Sequence, residues 1–215
     1  MVKRSNRSSK SRSWFSKQNQ DPYIIKSRKE GYRSRAAYKL LEINEKDRIL
    51  RSGMIVVDLG STPGGWSQVA ADLVGKNGKV LAVDLLPMAF INNVTFIQGD
   101  FTEDTIQQQL LELLGGKKAD VVISDMSPNL TGIATVDQAK SMHLVELAYD
   151  FARLVLKKNG IFLSKAFHGA NFENLTKNIK QDFSKLLIRK PMSSRTESKE
   201  VYLLASDYTS KYEQK

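Results

Sequence analysis

Apolar residues recur along this chain in short runs separated by stretches of helical period, and that alternation predicts its architecture. Met54–Leu59 (MIVVDL), Lys79–Asp84 (KVLAVD), Ala119–Ser124 and Ile161–Lys165 are brief, β-branched runs with little polar alternation, the pattern of strands buried on both faces. Val94–Gln98 reads as a further short strand. Between them, Trp66–Val74, Glu103–Leu114, Asp137–Leu156 and Asn171–Phe183 carry the helical pattern. Upstream, residues 34–50 place Ala37, Leu40, Leu41, Asn44 and Arg48 along one side of a helix, with Ser34 as its N-cap and Gly53 as its terminator. Two closing strands, Lys185–Lys190 and Glu200–Ser206, bracket the segment PMSSRTESK. The prediction is an α/β protein with a doubly wound, mostly parallel seven-stranded sheet. Helices cover both faces, and an antiparallel hairpin forms the C-terminal edge.

Composition adds one asymmetry. Of the net charge of +10, residues 1–35 hold eleven Lys/Arg against Asp21 and Glu30, so the remaining 180 residues are nearly neutral. Six of the first sixteen residues are serine, and such a stretch buries too little apolar surface to offset its ordering entropy. Residues 1–33 are therefore expected to be a flexible basic arm, 34–207 the folded domain and 208–215 a disordered tail. The bland reading of the arm is a solvated tail; the sharper one is an RNA contact, in which each Lys or Arg that neutralises a phosphate releases a counterion. An organelle transit peptide shares the Arg/Ser bias, but no cationic amphipathic helix is evident and no secretory apolar core is present. No apolar run approaches the roughly 20 residues of a membrane span. The chain has no cysteine, which removes disulfides and thiolate chemistry and agrees with a reducing compartment, so the expectation is a cytoplasmic monomer.

The chemistry concentrates where the first strand ends, in Asp58-Leu59-Gly60-Ser61-Thr62-Pro63-Gly64-Gly65-Trp66. In a doubly wound sheet, ligands bind beyond the carboxyl ends of the strands. Gly60, Gly64 and Gly65 permit sharp turns and close approach of a ligand to the main chain. Asp58 is placed to hold the loop or to accept from an ammonium group, and Trp66 to offer a π face to a positive charge. The loop has neither the GxGxxG spacing of a dinucleotide site nor the GK[ST] of a P-loop. Asp84 and Asp100 end the next two strands, within reach of ribose hydroxyls and of an adenine amino group. For each aspartate taken alone, a turn or cap role is the competing reading; three acids at successive strand ends favour an adenosyl ligand.

These and further segments resemble the FtsJ/RrmJ (RlmE) family of ribose 2'-O-methyltransferases. The matching segments are Gly31-Tyr32-Arg33-Ser34-Arg35-Ala36-Ala37-Tyr38-Lys39-Leu40, the glycine loop, Asp84-Leu85-Leu86-Pro87-Met88, Gln98-Gly99-Asp100-Phe101, Ser124-Asp125-Met126-Ser127-Pro128-Asn129, Ser193-Ser194-Arg195 and Glu200-Val201-Tyr202. They occur in order from about residue 21 to 206. The resemblance implies a Rossmann-like methyltransferase domain that uses S-adenosyl-L-methionine, with cofactor contacts on Gly64, Trp66, Asp84, Asp100 and Asp125. It also implies a catalytic tetrad of Lys39, Asp125, Lys165 and Glu200, and, in the bacterial branch, a uridine ribose in the peptidyl-transferase region of large-subunit ribosomal RNA as the acceptor. Arg33, Arg35, Lys39 and Arg195, basic members of these motifs, are expected to meet the RNA.

Transfer of a methyl group from a sulfonium chiefly requires that the ribose oxygen be aligned and its proton removed. Lys165 is the candidate base, with Asp125 and Glu200 setting geometry and Lys39 holding the ribose or acting on Lys165 as a like charge. Tyr23, Tyr32 and Tyr38 could stack on bases or simply pack the first helix. His143 and His168 lack a matching ligand cluster, and no metal is expected. The rival functions are a tRNA or cap ribose methyltransferase and a non-catalytic RNA-binding factor of ribosome assembly.

Overall fold

The computed structural model describes residues 21–129, 131–195 and 198–209. Seven strands lie in one sheet: β1 (Ile55–Leu59), β2 (Lys79–Asp84), β3 (Val94–Gln98), β4 (Ala119–Ser124), β5 (Leu156–Phe167), β6 (Phe183–Arg189) and β7 (Glu200–Tyr208). Their order is β3-β2-β1-β4-β5-β7-β6. The first five are parallel, and β7 runs antiparallel between β5 and β6, the edge hairpin that the pattern predicts.

The central strands are apolar on both sides because both sides are covered. On one face, α2 (Ala37–Asp47) and α3 (Gly65–Val74) bury Leu40, Ile43, Val69 and Val74 against Val56, Val80, Ile123, Leu163 and Leu204. On the other, α4 (Asp104–Leu114), α5 (Ala134–Val155) and α6 (Phe172–Asp182) bury Leu110, Val145, Phe151 and Ile179 against Val57, Leu81, Val122 and Phe162. Among the described residues no helix is long and apolar enough to cross a membrane.

Three expectations about boundaries are corrected. The span read as a flexible arm contains a helix, α1 (Pro22–Glu30), capped by Asp21, whose carboxylate accepts from Tyr23 N–H at 3.0 Å, and closed by Gly31 at φ 77°. Residues 1–20 lie outside the described part. Next, α2 starts at Ala37 rather than at Ser34, whose carbonyl accepts from Ala37 N–H in a preceding turn. It stops at Arg48, in the left-handed region at φ 50°, before Gly53 is reached. Its buried face is Ala37, Leu40 and Ile43, with Arg48 exposed. Lastly, Tyr208, expected in the tail, is 1% exposed in β7, and its hydroxyl donates to Arg153 O at 2.9 Å.

Candidate active site

The carboxyl ends of β1 to β5 carry two adjoining groups of side chains. The first surrounds the glycine loop. Gly60 (φ 73°) leaves β1, and the N–H groups of Gly60 and Ser61 both donate to Val83 O, at 2.9 and 3.1 Å, which ties the loop to β2. Thr62–Pro63 is a cis peptide, and Gly64 (φ 107°) precedes α3. A side chain at Gly60 would come within 2.2 Å of Met126 Cγ, and one at Gly64 within 2.6 Å of Ile91 Cδ1. Positive φ at both positions already favours glycine, the sharp turning that the sequence suggested, and these close neighbours add to that demand independently of a ligand.

Asp58 is 1% exposed. Its Oδ2 accepts from Ser67 Oγ at 2.6 Å, and its Oδ1 has no hydrogen-bond partner in the protein. Burial pushes its carboxyl up to about 7 despite the Ser67 bond, and the nearby Asp125 and Asp84 charges act in the same direction as burial. Asp84 takes Thr62 N–H on Oδ2 at 2.9 Å and Leu86 N–H on Oδ1 at 2.8 Å. Each oxygen keeps a second lone pair for another donor. Asp100 Oδ1 accepts from Thr102 N–H and Oγ at 2.9 and 2.7 Å, the turn role that competes with ligand binding.

Trp66 departs from expectation. Its ring is 3% exposed, lies 5.6 Å from the Tyr202 ring and donates Nε1–H to Ala36 O at 2.8 Å. It pins α3 to the start of α2 and presents no aromatic wall.

The second group contains all four residues of the expected tetrad, arranged as two ion pairs. Lys165 Nζ lies 3.2 Å from Asp125 Oδ1 and donates to Asp125 O at 2.5 Å. Lys39 Nζ lies 2.6 Å from Glu200 Oε1, which also accepts from Ser194 Oγ at 2.8 Å. Both lysines are nearly buried, at 8% and 9% exposure, so their charges stand where pairing matters. Tyr202 links the two pairs. Its hydroxyl donates to Asp125 Oδ1 at 2.7 Å, and Lys39 Nζ sits 5.7 Å from its ring centre. Burial, with the Asp125 and Glu200 carboxylates close by, holds the Tyr202 phenol well above its ordinary pKa, so it stays a donor. The sequence alone assigns Tyr202 no role, although a strand's period of two puts it on the same face as Glu200.

The sheet register explains the grouping. Lys165 stands opposite Tyr202, and Phe167 opposite Glu200, across the β5–β7 pair. Along the face covered by α2 and α3, the buried Leu163 and Leu204 give way to Lys165 and Tyr202, so an apolar row turns ionisable at the strand ends.

A cleft of about 320 Å³ opens beside this group, lined by Arg35, Ala36, Lys39, Arg195, Ser198 and Glu200. A larger one, about 430 Å³, lies between α5 and α6 around Tyr149, Arg153 and Asp182, and none of the tetrad lines it. Arg35 is held by Asp21 and by Ser193 O, while Arg195 Nε lies 3.9 Å from Asp21 Oδ2. Arg33, expected to be presented to RNA, is turned onto the protein: NH1 donates to Pro63 O (3.2 Å) and Ala89 O (2.7 Å), and NH2 to Phe90 O (2.6 Å). Tyr38 is a packing residue at 4% exposure, flanked by Tyr23 and Tyr32 with ring centres 5.4 and 5.6 Å away. His168 packs on Phe172, 4.7 Å between ring centres, and the described residues contain no group of three potential metal ligands.

The chain is similar to known proteins over most of its length. Residues 32–208 match the model of the FtsJ-like methyltransferase family. A protein of Stutzerimonas stutzeri named Ribosomal RNA large subunit methyltransferase E is 50% identical over 202 residues, covering 94% of this chain and 98% of the relative. Its namesake in Marinobacter nauticus is 54% identical over 202 residues, with the same coverage. A crystal structure of a Plasmodium falciparum protein assigned as a ribosomal RNA methyltransferase superposes with a TM-score of 0.75 at 32% identity, covering 82% of this chain and 98% of that one.

Proposed function

Since the chain belongs to the FtsJ-like methyltransferase family, we propose that it transfers a methyl group from S-adenosyl-L-methionine to a ribose 2'-hydroxyl of large-subunit ribosomal RNA, at a uridine of the peptidyl-transferase region. The observation that carries this reading is the joining of Lys165–Asp125 and Lys39–Glu200 through Tyr202, beside the glycine loop. Two nearly buried lysines held against carboxylates, Lys165 at a strand end and Lys39 in α2, favour catalysis over RNA binding alone.

The donor site fits the cofactor on three counts. Asp58 Oδ1 is an orphaned acceptor whose buried charge an ammonium group would relieve. Asp84 retains lone pairs for ribose hydroxyls, and Asp100 stands at the neighbouring strand end. Bound S-adenosyl-L-methionine supplies an already activated methyl group. What remains for the protein is alignment and proton removal. In this mechanism Lys165 acts as the neutral amine and takes the proton of the 2'-hydroxyl, and the ammonium so formed is the species paired with Asp125. Asp125, fixed by the Tyr202 hydroxyl, aims Lys165, and Lys39, fixed by Glu200, holds the ribose. Arg35 and Arg195, at the rim of the cleft, meet the flanking phosphates.

The test is methyl incorporation from labelled S-adenosyl-L-methionine into isolated large subunits, free ribosomal RNA and tRNA, followed by mass-spectrometric mapping. Labelling of one large-subunit uridine is expected. Labelling confined to tRNA would overturn the choice of acceptor, and no labelling with measurable RNA binding would make the protein a binding factor.

A further inference from the structure

The three hydrogen bonds of Arg33 bridge two different loops. Pro63 belongs to the glycine loop after β1, whereas Ala89 and Phe90 belong to the segment after β2. On the proposed reading these two loops frame the methyl donor. They are also joined a second time, at Asp84, which accepts from Thr62 and Leu86 N–H, and by Thr62 Oγ donating to Leu86 O at 3.0 Å. The two joints differ in one respect. Asp84 is the carboxylate that a ribose would engage, so its bonds to the loops compete with ligand. The Arg33 joint involves only main-chain carbonyls, which a ribose at Asp84 leaves alone.

Beyond these joints the segment after β2 is held by Gln98 Nε2, which donates to Leu85 O at 3.1 Å, and by little apolar burial. Leu85, Leu86 and Phe90 are 65%, 62% and 83% exposed, so its largest apolar side chains contribute almost nothing to the core. Its inward contacts are Met88 and Ile91, which crowd Gly64 together with the Arg33 side chain. Arg33 itself is well anchored: its N–H donates to Gln68 Oε1 at 2.8 Å, and Gln68 Nε2 donates to Gly31 O at 3.1 Å, tying the α1–α2 linker to α3. A guanidinium suits the task because its rigid fork reaches carbonyls from both loops at once, which a lysine ammonium on a flexible stem does not reproduce.

We infer that Arg33 is a positioning residue for the methyl donor, fixing the separation of the Pro63 and Ala89–Phe90 loops through their carbonyls. This inference rests on the donor reading above. Arg33 touches neither reacting atom, so its loss weakens donor binding and leaves the chemical step intact.

The experiment is calorimetric titration of full-length wild type, Arg33→Ala and Arg33→Lys with S-adenosylhomocysteine, alongside steady-state kinetics with large-subunit RNA. Arg33→Ala is expected to weaken the analogue and raise the donor KM by about tenfold or more. Turnover at saturating donor should stay within about threefold, and RNA affinity without donor, with its salt dependence, should not change. Arg33→Lys should fall between wild type and Arg33→Ala. Should Arg33→Ala fail to fold, Gln68→Ala loosens the same linker more gently and should shift donor KM in the same direction with turnover kept. Unchanged donor affinity in a folded variant would overturn the inference. A drop in RNA affinity with a salt slope shallower by about one would also overturn it, making Arg33 a phosphate-binding residue. If wild type binds no analogue, the donor reading itself fails, a result distinct from both.

Discussion

Lys165 and Tyr202 face each other across the antiparallel β5–β7 pair and converge on one atom, Asp125 Oδ1, at 3.2 Å from the Lys165 nitrogen and 2.7 Å from the Tyr202 oxygen. The carboxylate is thus fixed from two strands while it belongs to the loop after a third. On the proposed mechanism, Lys165 aimed by a carboxylate fixed in this way keeps its direction when an acceptor arrives, which is what proton removal in an aligned displacement requires.

Lys165→Met should therefore abolish the reaction without emptying the donor site. The expected loss of turnover is at least about 100-fold, with affinity for S-adenosylhomocysteine within about threefold of wild type. Single-turnover methylation and calorimetry check the two halves separately. Near-normal turnover would remove Lys165 from the mechanism.

Two carboxylates should give the stability opposite dependences on pH. Asp58, pushed up to about 7 by burial, favours the folded state when neutral; its contribution is full below about pH 4 and is lost as pH rises through about 7. Asp58→Asn is expected to raise Tm at pH 8 relative to wild type, and to do so far less at pH 4. Asp47 is the reverse case. Arg189 grips it through Nε–Oδ2 at 2.7 Å and NH2–Oδ1 at 2.6 Å, and holds its carboxyl below the ordinary carboxylate value. Its contribution is present above about pH 4 and is lost as pH falls through the lowered value. Asp47→Ala should cost about 3 kcal/mol at pH 7, leaving Arg189 unpaired, and the difference should shrink in acid. Thermal denaturation between pH 3 and 8 reads both, each as variant minus wild type.

Trp66 should behave as a core residue. Trp66→Phe loses the Nε1–H bond to Ala36 O and is expected to cost about 1 kcal/mol, with donor affinity nearly unchanged. Trp66→Ala should cost about 3–5 kcal/mol. Urea denaturation with parallel donor titration checks this; a selective loss of donor affinity in the Phe variant would restore a ligand-facing ring.

Residues 1–20 contain six Lys/Arg and no acid. A chain beginning at Asp21 keeps the capped helix α1 and should retain turnover at saturating RNA, while its RNA affinity falls. The slope of log affinity against log salt should become shallower by about one for each phosphate that the arm no longer neutralises. Filter binding across salt concentrations gives the slope directly, and an unchanged slope would mean that the arm is only a solvated tail.

How much of the molecule is legible in its sequence depends on what each feature rests on. The central strands are evident because burial on both faces leaves an apolar run that little else produces, whereas the edge strands β3 and β6 are largely uncovered and read only from their place in the alternation. Helix α1 escapes such a reading because it buries almost nothing, with Ser27 its one buried residue. Its signals are at the ends, Asp21-Pro22 and Gly31, and they are obscured by the surrounding basic charge. The candidate tetrad follows from the resemblance carried by ordered motifs, whereas Tyr202 needs the register of β7 against β5. Arg33 and Trp66 mislead for a common reason. Residue type tells what a side chain can bond to, and only the fold shows that the nearest partners are carbonyls of the same chain.

The row in which Leu163 precedes Lys165, and Leu204 lies two residues beyond Tyr202, gives the proposed acceptor site a reading frame. Because a strand alternates faces, one residue inserted between Leu163 and Lys165 would carry the lysine through the sheet to the side of Phe162 and Ala166. Two inserted residues would restore the face but displace it by about 6.6 Å. In this sheet, then, the parity of the spacing between core and chemistry is a quantity to be inherited in its own right, apart from the identity of any side chain.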